Sequence, residues 1–181
     1  MKLNQVVVRT GPVFGLLTCL SLTACGGAPD TPSPEELPPI TQPDRLYRDA
    51  VSGVAESVRL VIRDRSTLED LWLQATSEQL ETPALPEIDF EREMVLVAGA
   101  GRMTTEDGIE IEGAGVRRRR TQQGNEEDVL IIQVRTVRGC GRVTADAYPV
   151  DIVKVSRFDD RVQWEEETDQ VTDCGPPAPW I

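Results

Sequence analysis

Two short and almost entirely apolar segments place the strongest constraint on how this chain can fold. Residues Met94–Ala98 are all apolar, and residues Val129–Val134 are apolar except for Gln133. Each segment is too short for a buried helix, and Gly99 and Gly101 follow the first one closely. Apolar segments of this length are typical of strands that are covered on both faces. We therefore expect both segments to be buried strands, the first of them central in its sheet.

The remaining apolar residues predict one helix and several half-buried strands. Apolar side chains recur at helical spacing from Leu68 to Ala75, which predicts a helix from Thr67 to about Gln79 that begins with a capping box of Ser66 and Glu69. Strands are predicted at residues 57–63, 109–112, 150–155 and 161–165. Only one helix interrupts these strands. The predicted fold class is therefore α+β: one helix packed on a mainly antiparallel β-sheet or small sandwich.

Residues 1–24 have the composition of a secretory signal peptide. Lys2 and Arg9 precede a short apolar segment that begins at Val13, and no acidic residue occurs before Asp30. The segment is shorter than the run of about 20 apolar residues that a membrane-spanning helix needs. It ends in Leu-Thr-Ala-Cys at Leu22–Cys25, which resembles the bacterial lipobox. That resemblance implies cleavage before Cys25, diacylglycerol on its sulfur, and attachment to a membrane through lipid chains.

An ordinary secretory signal with a coincidental cysteine is the alternative to a lipid anchor. Gly26 follows Cys25, at the position where an aspartate would retain a lipoprotein in the inner membrane of a Gram-negative bacterium. The predicted location is therefore the cell envelope, with the outer membrane favoured over the inner one if the source is Gram-negative.

Proline dominates the segment that follows the predicted anchor. Six of the prolines lie between Gly26 and Pro43, at positions 29, 32, 34, 38, 39 and 43. Proline fixes its own φ angle and disfavours helix at the preceding residue. We therefore expect residues 25–45 to form a semi-rigid tether. Residues 46–181 are then predicted to form a single α+β domain.

Two cysteines remain once the signal peptide, with Cys19, is removed and Cys25 is lipidated. These are Cys140 and Cys174. An even pair in an exported domain predicts a disulfide, which would join the C-terminal tail to the loop after the Val129 strand. A redox-active pair is the alternative, but the Cys-x-x-Cys spacing that favours it does not occur.

The charge of the chain and its lack of histidine exclude several functions. The chain has 31 Asp and Glu residues against 19 Lys and Arg residues, a net charge of −12, and no histidine. Nucleic-acid binding requires an excess of cations, so no nucleic-acid partner is predicted. Catalysis by Ser-His-Asp or Cys-His groups and histidine-ligated metal sites are excluded. No calcium-loop spacing and no phosphate-binding glycine loop occur, and neither a metal site nor a cofactor is predicted.

One nucleophile and base remain as a candidate catalytic pair. Ser156 lies two residues after Lys154, on the same face of a predicted strand. Outward-facing polar residues on an alternating strand give the same spacing. Carboxylate pairs such as Asp159 and Asp160 would suit a glycosidase or a calcium ion, but a solvated acidic surface explains them as well. The chain is therefore predicted to be non-catalytic, with an envelope hydrolase as the alternative.

Four consecutive arginines, Arg117, Arg118, Arg119 and Arg120, are the most distinctive local feature. On a strand they alternate between the two faces, so they cannot all enter a core. In one interpretation they pair across a turn at residues 122–125 with the acidic residues at 126–128. In the other they form a cationic patch for an acidic partner or anionic lipid head groups. Pairing is favoured because the nearby acids cancel much of the field, and the arginines remain candidate partner-binding residues.

Several segments occur in an order that is characteristic of a known family. A strand and a Leu/Trp helix lead to Asp89-Phe90 before the strand at Met94, and Tyr148-Pro149 leads the strand at Val150. This order resembles the C-terminal domain of the protease-complex subunit PrcB family over residues 58–155. The resemblance implies a non-catalytic partner of a cell-surface protease, in a family with many lipoproteins. The chain departs from the family pattern at the four arginines and after Cys174.

Together these features predict a lipid-anchored cell-envelope protein that acts as a non-catalytic binding or accessory module. Its predicted partners are the membrane, through Cys25, and another protein, which the family resemblance implies to be a surface protease. Exposed strand edges would suit such docking because they offer unpaired backbone groups. A purely structural lipoprotein with no dedicated partner is a further alternative.

Overall fold

The computed structural model describes residues 41–142 and 145–175, and the predicted signal peptide, Cys25 and most of the predicted tether lie outside these residues. The elements, in chain order, are β1 Asp44–Asp49, β2 Ser57–Ile62, α1 Arg65–Ala75, β3 Glu93–Ala100, β4 Met103–Thr104, β5 Gly108–Arg120, β6 Glu126–Arg138, β7 Asp146–Ala147, β8 Val150–Ser156 and β9 Arg161–Gln170. One helix and mostly antiparallel strands give the predicted α+β class. Within the described residues, no helix is both long enough and apolar enough to span a membrane.

Four strands form an antiparallel sheet in the order β1-β8-β3-β2. Strand β3 lies between β8 and β2, so that Val97 faces Ile152 on one side and Leu60 on the other. Every residue from Met94 to Ala98 is fully buried. The central position predicted for this apolar segment is therefore confirmed, and its cause is burial on both faces of the sheet.

A second sheet has the order β5-β6-β9. Strands β5 and β6 form a long antiparallel hairpin, whereas β9 runs parallel to β6. The middle position of β6 explains its apolar segment Val129–Val134. In β5 the register shifts between Ile111 and Gly113, which leaves Glu112 as a bulge residue. A short pair, β4 with β7, lies outside both sheets.

The four-stranded sheet is the middle of three layers. On one face, Leu68, Leu71, Trp72 and Ala75 of α1 pack against apolar residues of β3 and β8. On the other face, Met94, Leu96, Ala98 and Val153 pack against Ile109, Ile111, Leu130, Ile132 and Val134 of the three-stranded sheet. The arrangement is a small sandwich with a helix on one side, and the apolar stripe predicted for α1 is the face that enters the core.

Helix α1 begins earlier than predicted, and the predicted capping box is wrong. Asp64 is the N-cap: its carboxylate accepts hydrogen bonds from the Thr67 N–H (2.9 Å) and from the hydroxyls of Ser66 (2.7 Å) and Thr67 (2.8 Å). Glu69 pairs with Arg65 at 2.8 Å instead of returning to Ser66. A carboxylate accepts several donors at once, so Asp64 takes the capping position and Ser66 becomes one of its donors.

We expect the cap to make helix stability depend on pH. Hydrogen bonds from Ser66 and Thr67 lower the pKa of Asp64 below its ordinary value of 3.8. A carboxylate with a lowered pKa in the folded state contributes stability above its unfolded pKa, and that stability is lost as the pH falls through the folded value. Acidification from pH 5 to below about 3.8 should therefore lower the urea midpoint more in the wild type than in an Asp64→Asn variant. If the urea midpoint fell equally with pH in the wild type and in the Asp64→Asn variant, this assignment of the cap would be contradicted.

The folded part of the chain extends to Thr41, before the predicted domain start at residue 46. Thr41 and Ala114 form an antiparallel bridge, in which the Thr41 N–H lies 3.2 Å from the Ala114 oxygen and the Ala114 N–H lies 3.1 Å from the Thr41 oxygen. Strand β1, which was not predicted, begins at Asp44. Its sequence, Asp-Arg-Leu-Tyr-Arg-Asp, carries charges at four of six positions, so no apolar pattern marked it as a strand.

The predicted disulfide between Cys140 and Cys174 is present, with a Cα–Cα distance of 5.6 Å. Cys140 follows β6 and Cys174 follows β9, and these two strands are parallel neighbours. The disulfide therefore joins the segments that leave the same end of the three-stranded sheet.

Candidate functional site

The tip of the β5–β6 hairpin carries the four arginines. Arg118 faces Asp128, Arg119 faces Glu127 and Arg120 faces Glu126 across the two strands. The turn between them closes with a hydrogen bond from the Thr121 N–H to the Asn125 oxygen (2.7 Å). Gly124 has a φ angle of 86°, a left-handed conformation that glycine adopts without strain. This register agrees with the pairing of basic and acidic strands that the sequence favoured.

The arginine side chains differ in how fully they are neutralised. The Nε of Arg118 lies 3.1 Å from Asp128, and Arg119 reaches across β6 to Gln163 (3.0 Å) and Glu165 (3.1 Å) of β9. Exposed pairs of this kind contribute little to stability. Arg117 and Arg120 form no ion pair with any other described residue. Half of the arginine run therefore keeps its positive charge available at the hairpin tip.

Strand β5 is an edge strand along most of its length. Within the described residues it pairs with β6 on one side, and on the other side Ala114 pairs with Thr41 and the backbone of Ile111 forms hydrogen bonds with Asp151 and Arg45. Backbone groups on a strand point alternately to the two sides. Because Ala114 directs its N–H and C=O towards Thr41, the same groups of Val116 and Arg120 point to this outer edge. No described strand pairs with the edge beyond Ala114.

A cleft of about 390 Å³ lies beside this edge, between the ends of the two sheets. Its apolar wall is formed by Ala114, Val116, Leu130, Val155 and Phe158, and its charged and polar rim by Asp44, Glu93, Lys154, Ser156 and Arg157. Residues 41–43, where the chain enters the domain, also border it. The cleft is therefore lined both by the open edge of β5 and by Lys154, the only lysine outside the predicted signal peptide.

The candidate catalytic residues Lys154 and Ser156 both line this cleft. The Lys154 ammonium lies 2.9 Å from a carboxylate oxygen of Glu93 and 3.6 Å from one of Asp44. The hydrogen bond with Glu93 raises the pKa of Lys154, and the same bond lowers the pKa of Glu93. Lys154 is therefore held in its protonated form. A protonated lysine cannot accept the proton of a serine hydroxyl, so this arrangement does not activate Ser156 as a nucleophile.

The carboxylate pairs singled out from the sequence lie on the surface. Asp159 accepts a hydrogen bond from the Nε of Arg157 at 2.8 Å, and Asp159 and Asp160 are both exposed in the turn before β9. In residues 41–142 and 145–175, no group of three or more Cys, Asp or Glu residues is placed to hold a metal ion.

A buried ion-pair network around Asp151 was missed from the sequence. The Asp151 side chain is 0% exposed and accepts hydrogen bonds from the Nε of Arg45 (2.9 Å) and the N–H of Ile111 (2.7 Å). Burial raises the pKa of Asp151, although the bonds from Arg45 and Ile111 oppose that shift. Because β1 was not predicted, nothing identified Arg45 as its partner. The available signal was a charged residue between Val150 and Ile152, two apolar residues that are both fully buried.

Glu110 extends the network across the two sheets. It lies 2.9 Å from Arg45, 3.1 Å from Arg48 and 3.5 Å from Arg135. Burial is the largest single influence and acts to raise the pKa of Glu110, but the charges of Arg48, Arg45 and Arg135 and the hydrogen bond from Arg45 together lower it below its ordinary value. The network therefore connects β1 and β8 of one sheet to β5 and β6 of the other.

Compared with known proteins, the chain matches no family model, no curated protein and no solved structure at the level required for a significant match. The resemblance to the PrcB family therefore stays a prediction from the residues that carry it.

Proposed function

We propose that this chain is a lipid-anchored cell-envelope protein whose α+β domain is a non-catalytic protein-binding module. The observation that carries the proposal is the edge of β5, which is unpaired beyond Ala114 among the described strands and carries two arginines without ion-pair partners there. An edge strand of this kind offers backbone donors and acceptors to an extended segment of another protein. A cell-surface protease is the partner class that the family resemblance implies.

The environment of Lys154 supports a non-catalytic role. Ser156 and Lys154 are the one combination of nucleophile and base that the sequence offered. Ion pairs with Glu93 and Asp44 keep Lys154 protonated, so it cannot act as the base. We therefore expect a Ser156→Ala variant to keep the function of the protein, whereas a Ser/Lys hydrolase would lose it.

The proposed anchor rests on the lipobox-like segment at Leu22–Cys25, and the Cys140–Cys174 disulfide supports export to an oxidising compartment. We expect a Cys25→Ser variant to move from the membrane fraction to the soluble fraction when cells are fractionated, because it has no sulfur for the lipid. Cys19→Ser is the matched control, since that cysteine lies within the predicted signal peptide, and it should leave the protein in the membrane fraction. Retention of the Cys25→Ser protein in the membrane would refute the anchor.

Crosslinking in intact envelopes tests the binding role. A photoreactive residue placed at position 116 or 120 should capture one stoichiometric partner, identified by mass spectrometry, and one placed on the exposed face of α1 at position 73 should not. Failure to recover a stoichiometric partner from either position on β5 would refute a binding module that uses this edge.

A further inference from the structure

We propose that the edge of β5 from Val116 to Arg120 binds an extended acidic segment of a partner protein as an added antiparallel strand. The cleft beside Val116 would take an apolar side chain of the same segment. This inference rests on the proposed function, and it specifies the surface that binds and the chemistry of what it binds.

The bridge between Thr41 and Ala114 shows that this edge accepts an antiparallel strand. Both of its hydrogen bonds, at 3.2 Å and 3.1 Å, run between backbone groups. The next outward-facing groups on β5 belong to Val116 and then to alternate residues as far as Arg120. A partner strand can therefore continue the same ladder beyond the bridge between Thr41 and Ala114.

The residues that precede Thr41 in this chain are poorly suited to continue that ladder. In the same antiparallel register, position 39 would face Val116, and position 39 is a proline. Proline has no N–H to donate and is excluded from paired positions inside a sheet. The chemistry of the edge therefore favours a segment from another protein over the tether.

The charge of the edge selects an acidic segment. Cross-strand neighbours interact directly, and opposite charges stabilise the pair whereas like charges destabilise it. Arg117 and Arg120 have no ion-pair partner among the described residues, so acidic residues opposite them would gain new pairs. A second copy of this chain, paired through its own β5, would place arginines against arginines. A second copy of this chain is therefore excluded as the occupant of this edge, and the charge favours an acidic segment of another protein.

The cleft adds an apolar position to the ligand. Val116 contributes both to the outer edge and to the cleft wall, together with Leu130 and Phe158. A residue opposite Val116 on an added strand would direct its side chain to the same face, towards this wall. The expected ligand is therefore a segment in which acidic residues, opposite Arg120 to Arg117, are followed by an apolar residue opposite Val116.

A peptide-binding experiment on the full mature chain carrying Cys25→Ser tests the proposal. The probe is a fluorescein-labelled Thr-Glu-Glu-Glu-Glu-Val-Thr peptide, in which the valine would face Val116 and the four glutamates would face Arg117 to Arg120, and its binding is measured by fluorescence anisotropy at low ionic strength. Arg117→Glu combined with Arg120→Glu should weaken binding by about tenfold or more. The matched control, Arg65→Glu with Arg102→Glu, makes the same change in net charge at exposed sites elsewhere and should weaken binding by about twofold or less. Equal losses in the two variants would overturn the proposal.

Hydrogen exchange locates the bound peptide. We expect the amides of Val116 and Arg120 to exchange rapidly in the free chain and to become protected when the peptide is added. Protection at another strand would overturn the proposal. Protection of these amides before any peptide is added would assign the edge to the chain's own residues and would also overturn it.

Two further measurements distinguish strand addition from a simple charge effect and from lipid binding. Val116→Pro removes an outward-facing N–H that β6 does not use, so it should abolish peptide binding, and circular dichroism of the variant checks that it stays folded although the Val116 side chain packs against the core. Binding to phosphatidylglycerol vesicles with the same dependence on Arg117 and Arg120, and no binding of the peptide, would assign the surface to lipid and overturn the proposal.

An envelope partner that is still captured after Arg117→Glu and Arg120→Glu would overturn this inference alone and leave the proposed function standing.

Discussion

Replacing Asp151 with alanine is expected to destabilise the domain by about 3 kcal/mol. The substitution leaves the Ile111 N–H without an acceptor and removes the buried partner of Arg45. Breaking a buried pair costs more than the pair contributes, because the remaining groups stay desolvated. We place the expected loss at the lower end of the range for such changes, since the Arg45 side chain is 34% exposed and keeps Glu110 as a partner.

Urea unfolding followed by tryptophan fluorescence measures this loss. Arg48→Ala is the matched control, because Arg48 belongs to the same network but, among the residues that the structure describes, forms an ion pair with Glu110 alone and is 41% exposed. Its removal should cost about 1 kcal/mol or less. An Asp151→Ala protein as stable as the Arg48→Ala protein would show that the buried carboxylate does not hold the two sheets together.

Loss of the disulfide is the second large effect that we expect. Cys140 and Cys174 are separated by 34 positions in the sequence, and chain-entropy reasoning gives a disulfide over a loop of that size about 3–4 kcal/mol. A Cys140→Ser, Cys174→Ser variant, or the wild type with reductant, should therefore unfold at a lower urea concentration than the oxidised protein. The double variant provides the control, because reductant should not shift its midpoint.

The same experiment has a local signature. Among the described strands, β9 pairs with β6 alone, and the disulfide joins the segments that follow these two strands at the same end of the sheet. Reduction should therefore accelerate amide exchange in β9 more than in β3, which has neighbours on both sides. Uniform acceleration in both strands would mean that the disulfide acts on the whole domain rather than on this edge.

The sequence predicted those elements whose burial leaves a local pattern. The helix and strands β3, β6 and β8 carry apolar residues at the spacing that each structure requires, and all of them enter the core. Strand β1 left no such pattern because charged pairs with distant residues, such as Arg45 with Asp151, hold it in place. Strand β9 extends to Gln170, beyond the predicted residue 165, through an acidic stretch that pairs with β6 and carries no apolar pattern of its own.

In the candidate site, too, contacts between strands joined by a short turn could be predicted from the sequence, whereas contacts between distant residues could not. The pairing of Arg118 with Asp128 of β6 could be predicted because a short turn joins the two strands and fixes their register. The partners Arg45 and Asp151 are 106 positions apart, and no local rule relates them. The cleft combines residues from the chain entry, β5, β6 and the end of β8, so its existence depends on how the two sheets meet.

The pairing of β1 with β8 also sets the order in which the domain can be completed. The first strand of the main sheet has its partner at Val150–Ser156, near the other end of the chain. Contacts between residues so far apart in sequence close large loops and form slowly. A chain that crosses a membrane with its N-terminus first would therefore hold β1 unpaired until β8 had also emerged. Completion of the main sheet would then follow translocation rather than accompany it.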